Sequence, residues 1–380
     1  MIPLLPFYAE KLGASAFQVG LLISAYAVCQ LFSGPLLGKL SDRTGRKPLL
    51  LVSQAGTFIG FIVTAFAPSL SVLLLARAID GATAGNLSLA QAYISDITKP
   101  EDRSKSFGVI GIAFGLGFLI GPAISGFLSA YDYRYPIFAA AALSALSIVS
   151  TYFLLPSAKP GSGGAAGPGG KRIGLFEWGA YAVYFRQPDL APRLWEFLAF
   201  AFSFAMFTSG LPLFCQRRLT WHGVEFGPVQ VGYAWALAGL LGVILQGGLL
   251  GRLVKRFGDA SLNKVGFAGY VAGYAILAFC HSITMLGIAT VVTAIGGLVR
   301  PTLTSMITQV SAPEEQGVVL GLTQSLTSIS QIAAPALTGF LIQRNVLTGW
   351  GIGVAAVALI GFLLAARSAS PSFPAEPIGT

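Results

Sequence analysis

Long apolar runs separated by short polar stretches follow one another along almost the whole chain. A helix needs about 20 apolar residues to cross roughly 30 Å of hydrocarbon, and each run is close to that length. Because backbone groups in lipid must be hydrogen-bonded within the segment, the runs predict helices rather than barrel strands. Eleven spans are predicted, over residues 17–37, 48–67, 70–95, 106–130, 135–155, 191–215, 228–250, 262–280, 283–308, 317–342 and 347–367.

The second half of the chain repeats the first. One fixed offset between widely separated anchors indicates an internal duplication. We therefore predict an N-terminal helical bundle over 1–155, a flexible Gly/Pro/Ala-rich linker over 156–190, a C-terminal bundle over 191–367 and a tail over 368–380. The anchor pairs, each 213 residues apart, are Gly38 and Gly251, Arg43 and Arg256, Gly45 and Gly258, Pro122 and Pro335, and Gly126 and Gly339.

The repeat also predicts a missing helix. The second half opens with the span over 191–215, and the counterpart of that span would precede Met1. We expect the first 15 residues to be the outer end of this missing helix and the loop that follows it. The complete architecture would then have six spans in each half.

Composition places the chain in a bilayer. Its residues are 54% hydrophobic and 10% charged, with a mean hydropathy of +0.73, whereas about 25% of residues are charged in soluble domains. Of the 24 Lys and Arg residues, 17 fall in loops on one side and 5 in loops on the other, with Arg77 and Arg300 inside spans. This bias satisfies the positive-inside rule. We predict a multi-pass protein of the bacterial inner membrane, with both halves joined on the cytoplasmic side, and the net charge of +9 requires no nucleic-acid surface.

Three motifs carry a family resemblance. The sequences GKLSDRTGRKP (38–48), LLLARAIDGATAG (73–85) and GLGFLIGPAISG (115–126) resemble the major facilitator superfamily. More narrowly, the chain resembles the bacterial tetracycline and multidrug proton antiporters. The resemblance implies two bundles of six helices that rock about a central cavity. It implies a monomer in the lipid bilayer that exchanges a small-molecule substrate for protons, with no cofactor and no metal.

The first motif gathers charge at the cytoplasmic ends of two helices, where its glycines permit a tight turn. By resemblance, Asp42 docks near Pro313 and Arg46 pairs with Asp96. We call these two contacts the lock. In the second half Lys255 stands at the position of Asp42 and Asp259 at that of Arg46, so we expect the lock in the first half alone. The alternative is a cluster that only anchors topology. The predicted gating residues are Gly38, Asp42, Arg43, Gly45, Arg46 and Asp96.

Arg77 and Asp80 stand three residues apart on one face of a predicted membrane helix. A charge at the bilayer centre costs about 2.5–3.5 kcal/mol, so such a pair is a functional hypothesis by default. We predict that both residues couple transport to protons. The resemblance supports Arg77, whereas Asp80 rests on the physical argument. The alternative is a permanently neutralised structural pair.

The third motif concentrates glycine in one helix, together with a proline. Glycines allow helices to approach closely, and Pro122 can kink the helix. We expect this antiporter motif to seal the bundles against leak, although ordinary glycine packing would give a similar pattern. Its residues are Gly115, Gly117, Gly121, Pro122 and Gly126.

Sparse polar and aromatic residues mark otherwise apolar helices. Together they predict a mostly apolar cavity with a few polar anchors, although each one singly fits a helix-to-helix hydrogen bond. Arg300 would meet an anionic substrate group, or else snorkel to the cytoplasmic surface. Glu196 and Ser203 share one helix face. The candidate cavity residues are Tyr26, Gln30, Gln91, Ser203, Trp235, Gln246, Arg300, Gln324 and Gln331.

The sequence shows no nucleophile with a base and no metal-ligand spacing, so we expect no enzyme activity. The predicted function is proton-coupled export of small amphipathic compounds by alternating access. A uniporter or symporter for a sugar or another metabolite shares the same fold and stays open at this point.

Overall fold

The structure is a computed structural model that describes residues 4–98, 103–156, 183–311 and 315–368. Nearly all of this chain is helical. The helices of the first half are α1 (Leu5–Lys11), α2 (Ala16–Thr44), α3 (Arg46–Ala65), α4 (Leu70–Ala82), α5 (Asn86–Ile97), α6 (Arg103–Ser129) and α7 (Arg134–Leu154).

The second half adds one short hairpin to its helices. Strands β1 (Thr220–Trp221) and β2 (Val224–Glu225) pair antiparallel. The helical elements are α8 (Ala191–Arg218), α9 (Pro228–Gly242), a π-helical segment (Val243–Leu249), α10 (Leu250–Ala278), α11 (Ile283–Ile295), a 3-10 turn (Gly296–Leu298), α12 (Val299–Gln309), α13 (Gln316–Gln343) and α14 (Leu347–Arg367).

Helices cover all eleven predicted segments, which confirms the helical membrane fold. Within the described residues, eight helices are long and apolar enough to cross a membrane by length and composition. The count of eleven complete spans stays a prediction. Two predicted spans are interrupted: 70–95 breaks at Thr83–Gly85, and 283–308 passes through the 3-10 turn.

The duplication is visible in the helix boundaries. Helices α4 and α11, α6 and α13, and α7 and α14 begin 213 residues apart. Ser69 and Ser282 cap the first of these pairs with side chains that accept backbone N–H bonds. Gly45 and Gly258 both have positive φ, at +98° and +76°, a conformation that glycine adopts without steric cost. The same turn therefore joins α2 to α3 in the first half and makes the kink inside α10 in the second.

The offset between the halves changes once, at the π-helical segment. Before this segment the offset is 212. The same helix-capping contact shows it: the Gln18 side chain accepts from Ser15 N (2.8 Å), and the Gln230 side chain accepts from Gly227 N (3.0 Å). After it the offset is 213, as Gly45 and Gly258 show. A π turn lengthens the hydrogen-bonded ring by one residue. Val243–Leu249 therefore accommodates a one-residue insertion.

The packed part of the second half begins before residue 191. Tyr184 and Leu190 are buried in the same hydrophobic core as Phe214 and Trp350. Residues 183–190 therefore contact the bundle, and the predicted end of the linker at residue 190 stays a prediction. Residues 157–182 of the linker and 369–380 of the tail lie outside the described part of the chain.

Candidate functional site

Two helix crossings hold the bundles together near the outer ends of the helices. At the crossing of α2 and α13, a Cβ added to Gly20 would overlap the Pro335 carbonyl, and Ser24 Oγ donates to Ile332 O at 2.6 Å. At the crossing of α6 and α9, a Cβ added to Gly232 would lie 2.9 Å from the Gly126 Cα. Backbones in such contact leave no passage for a solute.

The two crossings are copies of each other. Gly20 corresponds to Gly232 by the offset of 212, and Pro335 corresponds to Pro122 by the offset of 213. Both added Cβ atoms meet the carbonyl oxygen of the corresponding proline. The outer side is therefore closed by one contact made twice.

A polar contact joins the bundles beside these crossings. Arg217 Nη2 lies 3.1 Å from Glu10 Oε1, and Arg217 Nη1 donates to Ile342 O at 2.6 Å. Gln343 accepts from Phe17 N at 3.2 Å. Arg217 thus ties α8 to α1 and α13. We call the Glu10–Arg217–Ile342 contact the outer latch.

The cytoplasmic halves of the same helices lie apart. On α2, Leu22 is 1% exposed whereas Leu36 is 65% exposed. A Cβ added to Gly38 of α2, Gly117 of α6 or Gly321 of α13 would meet no atom of the described residues within 4 Å. The structure is therefore closed on the outer side and open toward the cytoplasm.

The first charged motif forms one of its two expected contacts. Arg46 Nε lies 2.9 Å from Asp96 Oδ2, and Arg46 Nη1 donates to Ser41 Oγ at 2.6 Å. Gly45 makes the turn, and Arg43 is exposed. The side chain of Asp42 and residues 312–314 lie outside what the structure describes, so docking near Pro313 stays a prediction.

The second half makes a contact at the positions equivalent to Arg46 and Asp96. Asp259 Oδ2 accepts from Gln309 Nε2 at 3.1 Å and from Ser305 Oγ at 2.8 Å. An acid paired with an amide and a hydroxyl here takes the place of the ion pair, and the expectation that the lock belongs to the first half alone stays a prediction. Both bundles therefore tie the same two helix ends together.

Arg77 and Asp80 form a buried ion pair in the first bundle. Arg77 Nη2 lies 3.3 Å from Asp80 Oδ2, and each side chain is 9% exposed. Thr57 lies beside the Asp80 carboxylate, and its hydroxyl accepts from Asn86 Nδ2 at 3.2 Å. Among the described residues, Arg77 Nε has no hydrogen-bond partner. A buried ion pair needs further hydrogen bonds to offset its desolvation, so this pair is incompletely satisfied.

The pair lies just before the break between α4 and α5. Ser53 of α3 donates to Thr83 O and accepts from Gly85 N, so one hydroxyl satisfies backbone groups that the break leaves without helical partners. The 3-10 turn Gly296–Leu298 occupies the equivalent position of the second half. Interrupted helices at matching places in two repeats are a mark of transporter binding sites.

The residues of the antiporter motif have different surroundings at different depths along α6. Pro122 and Gly126 take part in the crossing with α9, whereas a Cβ added to Gly117 or Gly121 would meet no atom of the described residues within 4 Å. The surroundings of Gly115 lie outside the described part. Of the motif residues whose surroundings the structure describes, Pro122 and Gly126 therefore contact the other bundle, and Gly117 and Gly121 do not.

The candidate cavity residues differ in their exposure and in their hydrogen-bond partners, and a shared cavity stays a prediction. Gln30 donates to Tyr26 Oη at 3.3 Å, and Gln246 donates to Gly297 O at 3.2 Å. Ser203 is fully buried, and its hydroxyl donates to Phe200 O of its own helix. Gln91, Gln324 and Arg300 are exposed, Gln331 is half-buried and Trp235 is buried.

One buried network was missed by sequence reasoning. Glu196 is fully buried, 3.2 Å from Arg193 Nη1, and it accepts from Asn263 (2.8 Å) and Ser368 (2.7 Å). It therefore ties α8 to α10 and to the end of α14 instead of facing Ser203. The i, i+3 spacing of Arg193 and Glu196, the same as that of Arg77 and Asp80, was the available signal.

Comparison with known proteins decides the family. The Major Facilitator Superfamily pattern matches residues 1–282 and, in a second match, residues 249–379. The chain belongs to this superfamily. It is 29% identical over 372 residues to the class C tetracycline resistance protein of Escherichia coli, covering 93% of this chain and 89% of that protein. It is 26% identical over 364 residues to multidrug resistance protein 2 of Bacillus subtilis, covering 91% and 85%.

Solved structures agree on the major facilitator fold. A human organic anion transporter superposes with a TM-score of 0.72 at 23% identity, covering 96% of this chain and 94% of that one. The nucleoside transporter NupG superposes with a TM-score of 0.78 at 13% identity, covering 97% and 95%. At these identities the likeness shows the fold alone. This major facilitator chain is a multi-pass membrane transporter for small molecules, and not an enzyme.

Proposed function

We propose that this transporter exports small amphipathic compounds of the tetracycline or multidrug type in exchange for protons. The observation that carries the proposal is the buried, incompletely hydrogen-bonded Arg77–Asp80 pair beside a helix break. The tetracycline and multidrug resistance relatives, which match nearly the whole chain, support the substrate type.

The exchange uses Asp80 as a proton carrier. Protonation of Asp80 removes its attraction to Arg77 and frees α4 and α5 to change their packing at the break. Deprotonation toward the cytoplasm restores the pair seen here, in which the outer crossings are closed. Drug then enters from the cytoplasmic side and leaves when the outer side opens.

The driving force is sufficient for export. A proton moving inward gains about 2.3 kcal/mol per 100 mV of membrane potential. This energy corresponds to a concentration ratio of roughly 50, since 1.36 kcal/mol is about tenfold.

Everted membrane vesicles with an acidic lumen test the proposal. Added tetracycline, or a responsive compound from a dye panel, should release protons from the lumen. Asp80→Asn should abolish this release and keep equilibrium binding. Glu196→Gln is the matched control, because it alters a buried carboxylate that also pairs with an arginine three residues before it. The control should keep the number of protons released per substrate.

Two results would contradict the proposal. Unchanged proton release in Asp80→Asn would assign the carrier to another residue. Substrate movement that ignores any proton gradient would favour the uniporter, and substrate uptake along the proton gradient would favour the symporter.

A further inference from the structure

A single side chain ties the π-helical segment to the 3-10 turn of the second half. Gln246 Nε2 donates to Gly297 O at 3.2 Å. A Cβ added to Gly297 would also lie 3.2 Å from Gln246 Nε2, so the amide contacts this backbone directly. Short 3-10 and π stretches within longer helices are frequent at hinges and functional sites. The contact therefore joins two irregular elements of the second bundle.

The sequence explains why Gly297 O takes a side-chain donor. In an α-helix this carbonyl would accept from the N–H four residues later, and that residue is Pro301, which has no N–H. A carbonyl left free inside a membrane costs free energy unless a neighbouring group bonds to it. Gln246 supplies the missing donor. The contact therefore stabilises the 3-10 turn, and losing the contact should loosen the turn.

The first half makes a similar contact at the equivalent position. Ser33 corresponds to Gln246 by the offset of 213. Its hydroxyl donates to Gly81 O at 2.7 Å, just before the break between α4 and α5. Ser33 is 6% exposed, whereas Gln246 is exposed. The contact is therefore buried in the first bundle and accessible in the second.

The π-helical segment lies between the two bundles. It contacts α6 of the first bundle as well as the 3-10 turn of the second. It follows α9 toward the cytoplasm, inward of the crossing between α6 and α9. A Cβ added to Gly247 or Gly248 would meet no atom of the described residues within 4 Å. Gln246 thus stands beside open space, where a compound that enters from the cytoplasm can reach it.

The positions equivalent to the Arg77–Asp80 pair carry no ionisable residue in the second half. Thr290 and Thr293 stand there instead. The Thr290 hydroxyl donates to Leu286 O of its own helix at 2.8 Å. A proton therefore cannot act on the 3-10 turn in the way that the proposed function has it act on the break of the first half. A ligand that competes for a hydrogen bond can.

We propose that the substrate acts on the second bundle through Gln246. A hydrogen-bond acceptor of the bound substrate takes the Gln246 N–H away from Gly297 O, and the 3-10 turn changes its geometry because it has lost this bond. Substrates of this site carry a carbonyl or phenolic oxygen on an otherwise apolar surface. The inference rests on the proposed function, because it adds an action of the substrate at α11 and α12 to that of the proton at α4 and α5.

Hydrogen–deuterium exchange of the purified full chain in lipid nanodiscs tests the inference without a pH gradient. The readout is the exchange rate of the backbone amides over residues 290–303, with and without excess tetracycline. Exchange through local opening follows the opening equilibrium, so loss of one hydrogen bond should speed it by roughly 2- to 12-fold. Wild type should show this increase only with tetracycline. Gln246→Leu should show it without tetracycline, and added tetracycline should give no further increase.

Three more variants separate this contact from general misfolding. Gly297→Ala keeps Gln246 but places a Cβ 3.2 Å from its amide, so exchange should again be fast without tetracycline. Gly287→Ala is the matched control and should behave like wild type, because its Cβ would meet no described atom within 4 Å. Ser33→Ala should speed exchange over residues 77–88 and keep the tetracycline response over 290–303.

Three results would overturn the inference: slow exchange in Gln246→Leu without tetracycline, an equal tetracycline response in wild type and Gln246→Leu, or no tetracycline response in wild type. The response should persist in Asp80→Asn, and its loss there would assign control of the turn to the proton site instead. Proton release in vesicles tests Asp80, and exchange over 290–303 tests Gln246. Failure of the proposed function and failure of this inference are therefore separate outcomes.

Discussion

The outer latch gives a prediction with a definite sign, because it joins the two bundles only while the outer side is closed. Removing it should raise the population of molecules open to the outside. The Glu10–Arg217 pair is partly exposed, at 19% and 31%, so we take about 0.2–1 kcal/mol for it. The bond from Arg217 to Ile342 O lies within the second bundle, so it positions the Arg217 side chain but does not itself join the bundles.

This value converts into a population shift. Arg217→Gln loses the ion pair between the bundles, about 0.2–1 kcal/mol, which corresponds to a shift of about 1.4- to 5-fold. Glu10→Gln loses the ion pair alone and should shift the population by about 1.4- to 5-fold. The exchange of charges in Glu10→Arg with Arg217→Glu should recover the ion pair but not the bond to Ile342.

The assay is the rate at which a membrane-impermeant maleimide added outside labels Ser24→Cys. Ser24 Oγ is 2.6 Å from Ile332 O in the closed crossing, so a thiol there reacts only when the bundles separate. The background replaces Cys29, Cys215 and Cys280 by serine. When the bundles open and close faster than the reagent reacts, the labelling rate is proportional to the fraction of molecules that are open to the outside.

Arg344→Gln is the matched control, because it removes an arginine on the same side that contacts Phe340 of its own helix. Its labelling rate should equal that of the parent protein. A rate for Arg217→Gln equal to that of the parent, or an equal increase for Arg344→Gln, would refute the latch.

Two more predictions test the repeated contacts. Gly232→Ala should raise the rate of labelling from outside more than tenfold, because its Cβ would lie 2.9 Å from Gly126 Cα. Gly121→Ala should leave the rate unchanged, because its Cβ would meet no described atom within 4 Å. Equal labelling rates for the two variants would contradict the crossing. Asp259→Arg should lower the melting temperature by a few degrees, since it loses two hydrogen bonds to a carboxylate, roughly 1–3 kcal/mol in all. Adding Gln309→Asp installs the pair of the first half and should restore stability; no recovery in the double variant would argue against equivalence.

Hydropathy predicted the helices well because membrane helices satisfy their own backbone groups. It missed the break at Thr83–Gly85, although Gly81, Gly85 and Asn86 stand at and beside it. The break is stabilised by Ser53 of α3, a distant residue that no local pattern reveals. The sequence also did not reveal the π-helical segment. The anchor pairs that define the repeat are all 213 residues apart, so they do not show the one-residue change of offset.

Some contacts of the site residues could also be predicted from the sequence, and others could not. The Arg46–Asp96 contact followed from family resemblance and is present. The equivalent contact of Asp259 was missed because the residue types changed while the positions did not. The outer latch joins Glu10 to Arg217 outside any repeated motif, so its partners become visible only when the bundles are packed together.

The crossing at Gly20 also acts as a pivot with unequal lever arms. Gly20 is four residues from the outer end of α2 and 24 from the inner end, about 6 Å and 36 Å along the helix. Rotation about this point swings the inner ends roughly six times as far as the outer ends. A fixed pivot here would therefore open the cytoplasmic mouth widely and the outer mouth hardly at all. To open outward, the point of contact has to move inward along α2. There a Cβ added to Gly34 or Gly38 would meet no atom of the described residues within 4 Å, so these two glycines offer the next places for two backbones to touch.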